Sequence, residues 1–291
     1  MPTFSAARAD HEFTDAHGVT VHYYVWEAAT PKAVVQIAHG LGEHALRYEA
    51  LAQDLVRAGY SVWADDHLGH GETGLGQWGG DRTKLGRLGP SGLRGAMEAV
   101  VRLTGLARSR NPGLPLVLLG HSWGSLMAQK LVDQGSDRFD AVVLTGTAYR
   151  LPGSMNGGDL NARHAHLGDT GYEWLSRDAS VVAAMAADPL AVQATAAQLF
   201  GPADTLRLVG RPSRRLASDL PVLIMVGDDD PLGGEDSARK LAEAYLRRSR
   251  LSDVELVVYR GARHEVLNET NRDEVVADLV SWLDDRVGGQ A

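Results

Sequence analysis

A serine sits between two glycines in Gly120-His121-Ser122-Trp123-Gly124, where the apolar run Leu116–Leu119 gives way to residues at helical spacing, Leu126, Met127, Lys130 and Leu131. Strand, sharp turn and helix form the setting in which a Gly-x-Ser-x-Gly string presents a nucleophile. A serine on such a turn has a strained backbone. A Cβ two positions to either side would crowd it, so glycine is expected at both. The new helix aims free N–H groups and its positive dipole end at the surroundings of the hydroxyl. A serine hydroxyl is a weak nucleophile at neutral pH, so it needs a base, and the base needs a group to orient it.

In this setting the partners follow in the order serine, acid, histidine. Beyond the elbow, the histidines are His164, His166 and His264. The first two fall in a stretch without strand pattern. His264 falls in Tyr259-Arg260-Gly261-Ala262-Arg263-His264-Glu265, a loop between a strand and the last helix, from which a base can reach the elbow. The acid should leave the end of the strand before it, Val222–Val226 with Gly227, and three aspartates stand there: Asp228, Asp229 and Asp230. Asp230 is favoured, because three residues past the glycine leave the chain room to turn back over the sheet edge. Asp228 is second, and the two that do not serve as the acid read as turn-formers or solvated charges beside Pro231. An oxyanion would be met by the amide of Trp123 and by one from His39-Gly40-Leu41-Gly42-Glu43-His44, where Leu41 is the choice. His39 and His44 read as structural, hydrogen-bonding within that loop.

The elements that must hold these residues alternate. Strands are expected at 19–26, 32–38, 60–64, 116–119, 141–145, 222–226 and 254–259, with helices at 46–58, 93–107, 123–134, 238–248 and 275–282. A long glycine-rich loop is expected between the strand at 60–64 and Pro90. Apolar strands alternating with helices imply an α/β protein with a mostly parallel central sheet flanked by helices. Residues 147–217 break the alternation with turn clusters (Pro152-Gly153, Asn156-Gly157-Gly158) and a helical stretch at 179–187. The expected organisation is a core of 1–146 and 218–291 with an inserted helical cap, or lid, at 147–217 over the carboxyl ends of the strands. Ten cap residues could line a pocket: Leu151, Met155, Leu160, Leu167, Trp174, Leu175, Val182, Met185, Leu199 and Phe200. Of these Trp174, Leu175 and Met185 are the choices for substrate contact.

Composition narrows the function. A net charge of −8 argues against a nucleic-acid partner. No apolar run approaches a membrane span, and the first fifteen residues hold Arg8, Asp10, Glu12 and Asp15 rather than a leader's apolar segment. The absence of cysteine excludes disulfides, thiolate metal sites and a cysteine nucleophile. A cytoplasmic protein without cofactor or metal is expected. Asp66-His67 with His70, or His164 with His166, could supply fragments of a metal site but complete no ligand set.

Four blocks in order resemble the α/β-hydrolases of the monoacylglycerol lipase and lysophospholipase type. They are His39–His44 with Arg47-Tyr48, Asp66-His67-Leu68-Gly69-His70-Gly71, the elbow, and Gly261–Glu265 with Asn268-Glu269. In the cap, Trp174–Asp178 and Asp188-Pro189-Leu190 are also similar. Thr73 departs from the serine usual after the Gly-His-Gly block but keeps the hydroxyl. The resemblance implies an α/β-hydrolase fold, a triad of Ser122, Asp230 and His264, and oxyanion amides at Leu41 and Trp123. It implies a serine carboxylic ester hydrolase working through an acyl-enzyme on single-chain lipid esters. The alternatives are lactone, thioester or amide cleavage, acyl transfer, or a weakly catalytic receptor on the same fold.

Overall fold

The computed structural model describes residues 6–289. Eight strands form one sheet: β1 (Arg8–Thr14), β2 (Thr20–Trp26), β3 (Ala33–Ala38), β4 (Tyr60–Asp65), β5 (Leu116–His121), β6 (Ala141–Thr145), β7 (Val222–Gly227) and β8 (Val254–Tyr259). Their spatial order is β1-β2-β4-β3-β5-β6-β7-β8. The pairs β1·β2 and β2·β4 are antiparallel and all the others are parallel.

The parallel strands are apolar on both sides because both faces are covered. On β5, Leu116 and Leu118 join one core while Val117 and Leu119 join the other, and all four are fully buried. The first face is covered by α3 (Gly92–Arg110), α4 (Trp123–Gly135) and α7 (Gly234–Ala244), through Leu103, Leu131 and Leu241 among others. The second is covered by α1 (Glu49–Arg57) and α8 (Arg272–Arg286), through Leu55 and Leu279. Each such side chain contributes about 1.5–3 kcal/mol by leaving water. The chain runs from β3 outward to β4 and then returns to place β5 on the other side of β3. That reversal opens a crevice at the carboxyl ends of β3 and β5, the place where open α/β sheets bind ligands.

Two elements depart from the sequence expectation. The segment expected as a loop before Pro90 contains a two-turn helix, α2 (Gly71–Gln77). Its glycines disfavour a helix, but Asp66 Oδ2 accepts the Glu72 N–H near its start at 2.8 Å, and a Cβ on Gly74 would collide with the Gly69 backbone. At the other end, β1 is an edge strand that no apolar alternation announces. Thr73, at the position of the family's serine, uses its hydroxyl to accept the His22 N–H at 2.8 Å and so ties α2 to β2.

Between β6 and β7 the chain makes an excursion that holds α5 (Ala179–Ala187) and α6 (Ala196–Leu208). A buried arginine clasps its two ends to α4. Arg150 donates from Nε to Gln129 (2.8 Å), from Nη2 to Asp133 (2.8 Å) and from Nη1 to the Leu208 carbonyl (3.0 Å). Tyr172, Leu175, Val182 and Met185 form a small apolar cluster inside it. Among the described residues no helix is long and apolar enough to cross a membrane.

Candidate active site

Ser122 stands between β5 and α4 with φ 52° and ψ −121°. The only other described non-glycine residue with positive φ is Arg250. Glycine on either side is a packing requirement. A Cβ on Gly120 would lie 2.7 Å from Ser125 Cα, and one on Gly124 would meet the Ala38 carbonyl. The second contact lets α4 start directly on the end of β3, which brings the loop after β3 alongside the serine.

The three aspartates after β7 have separate partners. Asp228 is exposed and accepts the Gly261 N–H at 2.6 Å, fixing the turn of the next loop. Asp229 pairs with His164 Nε2 at 2.9 Å and with Arg163 at 2.6 Å, both from the excursion. Asp230 is buried; its Oδ1 accepts the Leu232 N–H at 2.9 Å and lies 2.9 Å from His264 Nδ1. The loops after β7 and β8 are packed so closely that a Cβ on Gly227 would strike the Ala262 carbonyl. His264 Nε2, the far side of the ring, is buried and has no hydrogen-bond partner among the described residues. Both His264 and Ser122 line one cavity of about 430 Å³. Burial favours the neutral His264 ring, but the charge of Asp230 and its hydrogen bond outweigh that and raise its pKa above the ordinary histidine value. Neighbouring His121 is pushed down to about 4, first by burial and then by His264, so it stays neutral.

The amides of Leu41 and Trp123 donate to no protein group among the described residues, and both residues line the cavity. Trp123 is the first residue of α4, where no intrahelical acceptor exists. The loop that carries Leu41 is pinned from below by a buried network the sequence reading missed. Arg47 donates to Glu43 Oε2 (2.7 Å) and bidentately to Glu265 (2.7 and 3.0 Å), and the Tyr48 hydroxyl donates to Glu43 Oε1 (2.7 Å). Burial would raise the Glu265 pKa, but Arg47 overrides this and holds it down to about 2. Only the alternation of acidic and basic residues in the first and last resemblance blocks hinted at it.

Five of the ten expected pocket residues line the cavity: Met155, Leu160, Trp174, Leu175 and Met185. The Trp174 ring also packs against the His264 ring, 4.7 Å between centroids. The others do different work. Leu167 is 51% exposed, Val182 packs within the excursion's own cluster, Leu199 packs on Gly86, Phe200 packs on the Trp123 ring, and Leu151 lies outside the lining. The excursion touches the loop after β3 directly. Val192 N–H donates to the Gly42 carbonyl at 2.8 Å, and His44 Nε2 lies 2.8 Å from Asp188 Oδ2. Two of the residues that could have been metal fragments have other partners. Asp66 accepts from Ala45 N–H, Glu72 N–H and the Tyr24 hydroxyl, and His67 pairs with Asp65. Among the described residues no three such groups converge on a point.

Comparison with known proteins places the chain in a family. The family model described as serine aminopeptidase, S33, matches residues 29–271. A monoacylglycerol lipase of Mycolicibacterium smegmatis is 34% identical over 96% of this chain and 98% of its own. The human monoglyceride lipase is 29% identical over 94% and 89%. Among solved structures, a thermostable carboxyl esterase from Bacillus coagulans superposes with a TM-score of 0.82 at 24% identity, covering 97% of this chain and all of that one.

Proposed function

The chain belongs to the serine aminopeptidase S33 family of α/β-hydrolases, and on that premise we propose that it is a serine carboxylic ester hydrolase acting on single-chain acyl esters, monoacylglycerols foremost. Ser122 attacks the ester carbonyl while His264 takes its proton through Nε2. Asp230 holds the imidazole in the tautomer that leaves Nε2 free and stabilises the imidazolium. The amides of Leu41 and Trp123 receive the oxyanion, the alcohol leaves, and water repeats the cycle on the acyl-enzyme. Residues 147–217 serve as the cap. The observation that carries this reading is that His264, whose buried Nε2 has no hydrogen-bond partner among the described residues, lines the same cavity as a serine held at positive φ, with Asp230 on its other ring nitrogen.

The lining favours an ester over a peptide with a free amino terminus. Glu43 and Glu265 are both bound to Arg47, and Asp159 is exposed on the cap, so none of these cavity carboxylates is free beside Ser122 to receive an α-ammonium group. About 430 Å³ lies toward the lower end of ligand-site sizes and suits one acyl chain. Each methylene buried among Leu126, Met155, Leu175 and Met185 contributes about 0.8 kcal/mol, so kcat/KM should rise about fourfold per methylene from acetate until the cavity is full. A panel of monoacylglycerols, lysophospholipids, lactones and short esters, with organophosphate labelling of Ser122, measures this. A steady fall in rate as the acyl chain lengthens would overturn the single-chain assignment.

The base must be neutral to accept a proton. Because Asp230 raises the His264 pKa, the acid limb of the kcat/KM profile should have its midpoint above about 6.5, the ordinary histidine value. Activity is then full above that midpoint and lost as pH falls through it. A profile flat from about pH 5 to 8 would remove His264 from this role.

A further inference from the structure

The peptide that joins Gly40 to Leu41 lies against the nucleophile. A Cβ built on Gly40 would come within 3.0 Å of Ser122 Cβ, and both residues line the cavity. A trans peptide is planar, with its C=O and N–H pointing to opposite sides. Whatever holds the Gly40 oxygen therefore aims the Leu41 hydrogen. That oxygen lies 2.7 Å from His39 Nδ1. The other face of the ring decides which nitrogen carries the proton: the His67 backbone N–H points at His39 Nε2, 3.0 Å away. A backbone amide can only donate, so Nε2 is the bare nitrogen and Nδ1–H donates to Gly40.

His67 is itself fixed. Its Nδ1 lies 2.9 Å from Asp65 Oδ2, and its ring stacks on His39 with centroids 4.0 Å apart. Asp65, His67 and His39 are completely buried, so water does not compete for these bonds. On the opposite flank the Gly40 N–H donates to Glu43 Oε1 at 2.5 Å. The peptide is thus gripped at the oxygen by His39 and, through the preceding amide, by Glu43, and the Leu41 N–H is left to face outward.

We propose that His39 is a positioning residue for ester hydrolysis: by holding the Gly40 carbonyl toward the sheet it aims the Leu41 N–H at the oxyanion, without touching substrate. This rests on the Leu41 amide being an oxyanion donor in acyl transfer from Ser122. Hydrogen bonds weaken steeply once their angle falls below about 120°, and losing one oxyanion donor outright slows kcat by about 10²–10³. Misaiming it forfeits part of that.

Two substitutions separate the ring's two bonds. His39→Asn carries an amide near the Nδ1 position and keeps the donor to Gly40, whereas His39→Gln reaches the Nε2 position and loses it. Expected for His39→Gln is a kcat about 10–100-fold below wild type with KM changed less than about threefold, and a matching loss of affinity for a boronic-acid transition-state analogue. His39→Asn should stay within about threefold of wild-type kcat although it loses comparable thermal stability. Equal kcat losses in both variants would overturn the proposal. A second measurement needs no variant: nitrogen-15 histidine spectra of the wild type should show His39 as the Nδ1–H tautomer, and an Nε2–H tautomer would overturn it as well. Ser122→Ala in the same assay separates the two levels. If that variant still turns over substrate, the acyl-transfer reading fails before His39 is reached.

Discussion

Ser122→Gly is expected to abolish ester hydrolysis and, in the same molecule, to raise the melting temperature. The activity loss follows from the nucleophile's role. Removing a triad serine elsewhere lowers kcat by about 10⁶, and what remains comes from oxyanion donors and binding. The stability gain follows from the backbone. At φ 52° and ψ −121° a Cβ is strained, a conformation that costs about 1–3 kcal/mol for an L residue and almost nothing for glycine. The Ser122 hydroxyl makes no hydrogen bond to the protein among the described residues, so its removal sacrifices little. Against a chain of this size the relief amounts to about 2–4 °C. Ser122→Ala supplies the control: it should be equally inactive but gain little stability, because its Cβ keeps the strain. Thermal unfolding of the three proteins checks both halves. A lower melting temperature for Ser122→Gly would mean that no strain is stored at the elbow, and retained hydrolysis would mean that Ser122 is not the nucleophile.

That trade at one residue also explains why the elbow was legible in the sequence. A buried parallel strand must be apolar on both faces, so Leu116–Leu119 reads as one run, and a Cβ-free residue is required where α4 begins on the Ala38 carbonyl. The three aspartates could be ranked from sequence, Asp230 ahead of Asp228, only by the room each leaves the chain to turn. Asp228, Asp229 and Asp230 differ in what they meet, namely the Gly261 amide, the Arg163 and His164 side chains of the excursion, and His264, and each partner is more than thirty residues away. Local pattern failed where tertiary contacts override propensity. The strand β1 is polar and exposed because it lies on the sheet edge, α2 is built around three glycines, and Gly201-Pro202 kinks α6 and hides its helical period. The pocket was half legible, since an apolar cap residue packs on the cap, on the core or on the cavity, and composition alone does not choose. The Arg47 network was hinted at only by the charged residues in two blocks, because Arg47 and Glu265 are 218 residues apart.

Arg47→Met should be the most destabilising single change at the site, and its signature should be a reversed dependence on pH. Arg47, Glu43 and Glu265 have side chains 11%, 5% and 4% exposed, so Arg47 is the cation bound directly to two buried carboxylates, one of which holds the Gly40 amide of the loop after β3. Breaking such a group by removing one partner costs about 3–5 kcal/mol, because an uncompensated buried charge is left behind. In the wild type, Glu265 has its pKa held down to about 2 by Arg47 against burial. Its stabilising contribution is therefore present above the unfolded value near 4.5 and lost as pH falls through about 2. Without the guanidinium, burial dominates and raises the Glu265 carboxyl above its unfolded value. The variant then gains stability as pH falls from about 8 to 5, where the wild type has no such gain from Glu265. Urea unfolding of both proteins at the two pH values measures the difference. Replacing all three together, Glu43→Gln with Arg47→Met and Glu265→Gln, should recover much of the loss at neutral pH. Neutral amides need no counter-ion, and the side-chain oxygen kept by Glu43→Gln can still accept the Gly40 N–H. A single Arg47→Met variant within about 1 kcal/mol of wild type, with an unchanged pH slope, would show that the carboxylates are solvated after all and that the loop carrying Leu41 is held by backbone packing alone.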